Sequence, residues 1–151
     1  VHDVAEGVLF IDVKNTVITD NRIDYIRNDS FKFNALDGAL IEGNIGAAHR
    51  YPGESDHVDF MQFQIGTSHN VTIRGNIYLP AAGTEYMSQG IFVADQYDGP
   101  PSNFLIEDNI LLVSAPHGIT IGGSGALIVP IYSVSASPFW SWSSTCHASA
   151  S

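Results

Sequence analysis

The sequence predicts an all-β fold, a parallel β-helix (solenoid) of about five coils. Three observations favour it: a short motif recurs along the chain, a second apolar segment precedes each copy, and strand-like alternation occurs without an amphipathic helix. With 151 residues, the chain has room for one domain.

The recurring motif is an apolar residue, a polar residue, Gly or Asp, then Asn and Ile. Its copies lie at 17–23, 40–45, 72–77 and 105–110, and Arg22 delays the Ile of the first copy by one place. The motif residues Asn21, Asn44, Asn76 and Asn109 are 23, 32 and 33 residues apart. A minimum turn of about two dozen residues with insertions of roughly ten explains these intervals, because insertions in a solenoid form loops.

A second short apolar segment precedes each motif. These segments lie at 8–11, 31–33, 60–63 and 91–93, and 119–121 leads into a degenerate fifth copy. The repeating unit of strand, turn, strand and loop cannot bury its own apolar face, but coiling stacks equivalent strands about 4.8 Å apart around one core. We expect the motif Asn to tolerate the left-handed backbone of a sharp bend and to form a hydrogen-bonded ladder from coil to coil.

The repeat fails near the C-terminus. Pro130 precedes the slot of the expected Asn, and Ile131 occupies that slot. A Ser-rich segment with both Trp residues follows. We therefore predict a partial β-helix domain over 1–132 and an irregular, poorly packed tail over 133–151.

Composition restricts the partners. The chain has a net charge of −10 and a pI near 4.6, so it should repel nucleic acid and anionic lipid surfaces. No apolar run reaches the roughly 18 residues that a membrane span needs. The single Cys146 excludes an internal disulfide framework and a multi-cysteine metal site. We expect a monomer with no nucleic-acid partner and no membrane span.

Four further segments carry a family resemblance: DHVDFMQF at 56–63, NVTIRGN at 70–76, QGIF at 89–92 and HGIT at 117–120. With the repeat, they resemble the right-handed parallel β-helix (pectate-lyase-like) superfamily, and within it mannuronan C5-epimerase-like proteins. The resemblance covers about residues 7 to 128. Such enzymes carry more coils and an N-terminal cap, so we expect this chain to be a fragment.

The resemblance implies an extracellular or cell-surface enzyme that acts on an acidic polysaccharide, a polyuronate such as alginate. The reaction would begin with proton abstraction at C5 and end as an epimerisation or a lyase elimination. The family's catalytic motif is Asp-Pro-His followed by Asp or Glu, whereas this chain has Asp56-His57-Val58-Asp59.

Removing the C5 proton of a uronate requires a base at that carbon and positive charge or hydrogen-bond donors on the carboxylate. The candidate catalytic residues are His57 as base or acid, Asp56 and Asp59 as orienting carboxylates, Arg50 as carboxylate neutraliser and Tyr51 as a phenolic acid or base. All of them lie within one short stretch of the chain.

The candidate substrate-binding residues are Gln62, His49, Gln89, His117 and Tyr86. His49 is also an alternative neutraliser of the substrate carboxylate. If Met61, Ile91 and Ile119 are equivalent core positions, Gln62, Phe92 and Thr120 form one outward column.

Alternatives remain open. A His before a strand is often a turn residue, and a nearby Asp is often a cap. No cofactor is required by the motifs, although Glu54, Asp56 and Asp59 could hold Ca²⁺, which favours oxygen ligands. The alternative function is a non-catalytic polysaccharide-binding or structural β-helix segment of an adhesin or phage tail protein. Clustered ionisable groups beside Gln62 would favour an enzyme, whereas a flat Thr/Asn surface would favour binding or structure.

Overall fold

The computed structural model describes residues 1–47, 58–79, 88–93, 99–113, 118–122, 126–128 and 132–135. All regular structure in these ranges is β-strand: β1 (Val8–Thr19), β2 (Arg22–Asp24), β3 (Phe31–Glu42), β4 (Ile45–Ala47), β5 (Val58–Ile65), β6 (His69–Arg74), β7 (Ile77–Leu79), β8 (Ser88–Val93), β9 (Ser102–Glu107), β10 (Ile110–Val113), β11 (Ile119–Ile121), β12 (Ala126–Ile128) and β13 (Tyr132–Ser135). In the described part of the chain, no helix is long and apolar enough to cross a bilayer.

The strands form three rows in which every pairing is parallel. Row A contains the first halves of β1 and β3, then β5, β8 and β11. Row B contains the second halves of β1 and β3, then β6, β9 and β12. Rows A and B together make one strongly curled eight-stranded sheet, and row C is a five-stranded sheet of β2, β4, β7, β10 and β13. The predicted all-β architecture of parallel strands is therefore confirmed.

The core lies between the rows and follows from the period-2 alternation of each strand. One side-chain column in row B consists of Ile18, Ile41, Ile73 and Ile106, all buried and in register. In row A, the predicted equivalence of Met61, Ile91 and Ile119 is confirmed by their pairing. The same register places Gln62, Phe92 and Thr120 in one column.

Strand β1 is the first strand of rows A and B, and β3 is its one partner among the described strands. Phe10 stacks on Phe33 with ring centroids 5.5 Å apart. In contrast, Leu9, Ile11 and Val17 are 50%, 61% and 67% exposed. The first strand of the stack is therefore less well covered than those behind it.

A left-handed residue makes the corner that follows row B. Asp20, Gly43, Gly75 and Asp108 have φ angles of 58°, 66°, 62° and 53°. Each stands directly before the motif Asn, and the Asn itself is not in the left-handed region. The expectation that Asn supplies this conformation is therefore wrong. Gly has no Cβ to clash, and Asp tolerates this region better than most residues, which explains the Gly-or-Asp position of the motif.

The predicted asparagine ladder is present on the inside of the same corner. Asn21 Nδ2 donates to Asn44 Oδ1 (2.9 Å), Asn44 Nδ2 to Asn76 Oδ1 (3.0 Å), and Asn76 Nδ2 to Asn109 Oδ1 (2.9 Å). Each Oδ1 also accepts the backbone N–H of the preceding Asn in the ladder. Three of the four side chains are fully buried, so the ladder pairs polar groups that water does not reach.

The predicted division at residue 132 falls where the described part of the chain ends. Strand β13 spans Tyr132–Ser135, and residues 136–151 lie outside the described ranges. The irregular tail therefore stays a prediction.

We expect the substitution Asn76→Ala to lower the free energy of unfolding by about 3 kcal/mol, because buried hydrogen-bonding groups cost about 1–3 kcal/mol each when unpaired. The backbone N–H of Asn44 and the carbonyl of Ile41 would lose their side-chain partner. Urea denaturation measures the difference.

Asn103→Gly is the matched control. Asn103 donates to Asn70 on the exposed side and has a φ of 55°, a conformation that Gly adopts without strain. The change should be below about 1 kcal/mol. Equal losses in the two variants would contradict a special contribution from the buried ladder.

Candidate functional site

A cluster of buried polar side chains lies at the start of row A. We call Asp29, Lys32, Asp59, Gln62 and Gln89 the row A cluster. Asp29 and Asp59 are 1% and 0% exposed, and Gln62 and Gln89 are also buried. Asp59 pairs in register with Gln89, and Lys32 pairs with Gln62. Parallel stacking therefore brings together groups from three successive strands of the row.

Close packing fixes the start of β5. Phe60, directly after Asp59, is fully buried and stacks on Tyr78 of row C at 5.3 Å. The space for its ring exists because row C has a glycine there: a Cβ on Gly46 would lie 2.4 Å from Phe60 Cδ2. Met61, the next residue, pairs with Phe31 and is also fully buried. Two successive anchored side chains hold the backbone that carries Asp59.

The two carboxyl groups have different partners. Asp29 Oδ1 accepts the backbone N–H of Asp59 at 3.0 Å, and Asp29 Oδ2 lies 3.6 Å from Lys32 Nζ. Asp59 Oδ2 accepts a hydrogen bond from Gln62 Nε2 at 3.1 Å. Asp59 Oδ1 and Gln62 Oε1 are buried and have no hydrogen-bond partner among the described residues. The site therefore has unused acceptor capacity.

Burial raises the pKa of both carboxyl groups. It raises the pKa of Asp29 from 3.8 to about 6, against the opposing effects of the Asp59 backbone N–H and Lys32. It raises the pKa of Asp59 from 3.8 to about 7, and the nearby charge of Asp29 raises it further. Carboxyl groups with such pKa values can exchange protons near neutral pH, as acid–base sites require.

The row A cluster includes three of the predicted site residues. Asp59, Gln62 and Gln89 come together here. The other predicted residues lie outside the described ranges: His49, Arg50, Tyr51, Asp56, His57, Tyr86 and His117. Their catalytic and binding roles, like those of the three that are described, stay predictions.

Sequence reasoning missed Asp29 and Lys32. A signal for them exists: Asp29-Ser30-Phe31-Lys32-Phe33 has the same order of Asp, core residue, polar residue and Phe as Asp59-Phe60-Met61-Gln62-Phe63. Asp29 and Asp59 are 30 residues apart, the interval between these two strands. Aligning the first strand of each repeat as well as the Asn motif would have found both residues.

Metal binding finds no support among the described residues, where no group of 3 or more His, Cys, Asp or Glu side chains could hold an ion. Glu54 and Asp56 lie outside these residues. The Ca²⁺ alternative is therefore untested.

Comparison of the chain with protein-family models, with curated proteins and with solved structures gave no match. What this site can do follows from its own geometry and charge.

The buried Asp59 predicts a pH-dependent stability. Its folded-state pKa of about 7 lies above its ordinary value of 3.8, so the folded protein holds this proton more tightly than the unfolded chain does. Its stabilising contribution is therefore fully present below about pH 4 and is lost as the pH rises through about 7. Asp59→Asn, a neutral side chain of the same shape, should raise the free energy of unfolding at pH 8 by roughly 1–4 kcal/mol. The difference should shrink toward pH 4.

Chemical denaturation of both proteins at a series of pH values measures this difference. Asp12→Asn, at an exposed position that Asn also suits, is the control and should show no such trend. A difference between wild type and Asp59→Asn that stays constant with pH would show that Asp59 ionises alike in the folded and unfolded protein.

Proposed function

We propose that this chain is a right-handed parallel β-helix of about five coils, as in the pectate-lyase-like superfamily. The rows support this architecture, because row A takes β1, β3, β5, β8 and β11 in chain order and rows B and C do the same with the strands between them. A chain that visits A, B and C in turn and then returns to A winds as a coil. Connections between parallel strands are almost always right-handed, which favours a right-handed coil.

For its activity, we propose an enzyme that abstracts the C5 proton of an acidic polysaccharide, a polyuronate such as alginate, as an epimerase or a lyase. The observation that carries the proposal is the cluster of ionisable groups beside Gln62. Asp29, Lys32 and Asp59 lie together there, where a structural or simple binding face would favour Thr and Asn. An extracellular or cell-surface location belongs to the same proposal.

The residues divide into two kinds in this proposal. Asp59 is fully enclosed, so it serves as a positioning residue and does not contact the polymer. His57, two residues earlier, is the proposed base or acid at C5. In this proposal Asp59 acts indirectly, by fixing the start of β5, which follows His57 in the chain. Lys32 keeps 24% of its side chain exposed, which leaves its ammonium able to attract a uronate carboxylate.

The test is incubation with polymannuronate, alginate and pectate in D₂O, with and without Ca²⁺. We expect deuterium at C5, read by NMR; deuterium without unsaturated ends identifies an epimerase, and unsaturated-end absorbance identifies a lyase. His57→Ala should lose about 100-fold or more in turnover, the usual effect of removing a general acid or base. Asp59→Asn should lose roughly 10-fold, because it acts through another group.

Asp12→Asn, at an exposed position of β1, is the control and should turn over normally. Near-normal turnover in His57→Ala would remove His57 from the mechanism. Polymer binding with neither deuterium nor unsaturation would favour the non-catalytic binding or structural role.

A further inference from the structure

Two neighbouring side chains in the row A cluster each have one unused acceptor. Asp59 and Gln62 are joined by a single hydrogen bond, from Gln62 Nε2 to Asp59 Oδ2 at 3.1 Å. The other oxygen of each group, Asp59 Oδ1 and Gln62 Oε1, is buried and has no partner in the described part of the chain. An ionised carboxylate and an amide oxygen can only accept, so neither atom can satisfy the other in that state. Leaving both unpaired away from water is costly.

The charges in the cluster indicate which carboxyl is neutral. Of the described cations, Lys32 is the one within ion-pair distance of these groups, and it lies 3.6 Å from Asp29. Asp29 also accepts the backbone N–H of Asp59. Asp29 therefore has more partners for its anion than Asp59, which among the described residues receives one amide hydrogen bond and faces a negative neighbour. A buried charge with so little compensation favours its neutral form.

We propose that Asp59 of the folded protein is a carboxylic acid that donates its Oδ1 proton to Gln62 Oε1. The two side chains then form a ring with two hydrogen bonds, one in each direction. An acid and a primary amide are complementary in this way, since each offers one donor and one acceptor on adjacent atoms. A single proton satisfies both unused oxygens.

The surroundings of the ring agree with a neutral acid. The titratable and charged groups that face Asp59 from the described elements are Asp29, Lys32 and Tyr78. Burial raises the pKa of Tyr78, so its phenol stays neutral. Burial and the nearby charge of Asp29 both raise the pKa of Asp59, in the direction that the contacts predict.

Gln62 is therefore a positioning residue that holds a proton at the site. The consequence for catalysis rests on the proposed function: the acid–amide ring would store a proton in the row A cluster and release it as the pH rises. The ring itself does not depend on any activity.

Infrared difference spectroscopy of the whole chain at pH 5 to 9 tests the ring without substrate. We expect a protonated-carboxyl component in wild type that disappears with a midpoint near 7, and Asp59→Asn should lack that component while keeping the one from Asp29, whose midpoint lies nearer 6. In Gln62→Leu the band should move to higher wavenumber, because the carbonyl loses the hydrogen bond from Nε2. A band assigned to Asp59 that does not move in this variant would mean that the proton is not shared with Gln62.

The side-chain amide of Gln62 gives a second measurement that needs no variant at that position. Its ¹⁵N and ¹H signals should shift with the same midpoint as the Asp59 carboxyl carbon. A carboxyl midpoint near 3.8, or amide signals unchanged through the transition, would overturn the proposal even if Gln62→Leu does not fold. A protein that shows the band but has no activity would contradict the proposed enzymatic function and support the ring. A protein that is active but lacks the band would contradict the ring and support the enzymatic function.

Discussion

The parallel register between successive strands is the constraint on which the rest of this structure depends. A row of parallel strands aligns equivalent residues of the repeat, so each side chain meets its own counterpart from the neighbouring strand. At the buried corner this requires a side chain that can both donate and accept toward identical neighbours. Asn44 and Asn76 do so with their amides, and they also bind backbone groups on both sides. The core columns and the row A cluster inherit the same alignment.

Much of the fold could be predicted because that requirement produces a recurring pattern in the sequence. The ladder position must be Asn, and the residue before it must adopt the left-handed backbone conformation, so the two positions recur together. Their roles were harder to separate, since Asn can adopt either one; the structure assigns the turn to Gly43 or Asp108 and leaves hydrogen bonding to the Asn. The long strands β1 and β3 were also not foreseen, because their bends at Asp12 and Ala35 occur without interrupting the strand.

The site was less predictable for a related reason. Sequence reasoning grouped ionisable and polar residues that are close along the chain, and it found Asp59 and Gln62 in this way. Their charged neighbours Asp29 and Lys32 come from the preceding strand of the row, so their proximity depends on a register that no local motif states. The pKa of Asp59 was even harder to predict from the sequence, because it depends on burial in the fold and on which carboxyl group lies closer to Lys32.

Local opening of the stack should begin at its partly exposed first strand. Interior strands of a row have a neighbour on either side, while β1, like the end strands β11 and β12, has one such neighbour among the described strands, and its Leu9, Ile11 and Val17 are largely in water. In a linear array of this kind, opening begins where a unit has the fewest neighbours and moves inward. Backbone amides of β1 should therefore exchange with solvent through local fraying, and those of β3 and β6 only through larger openings. The row A cluster spans β3, β5 and β8, so its geometry can persist while the first strand detaches and returns.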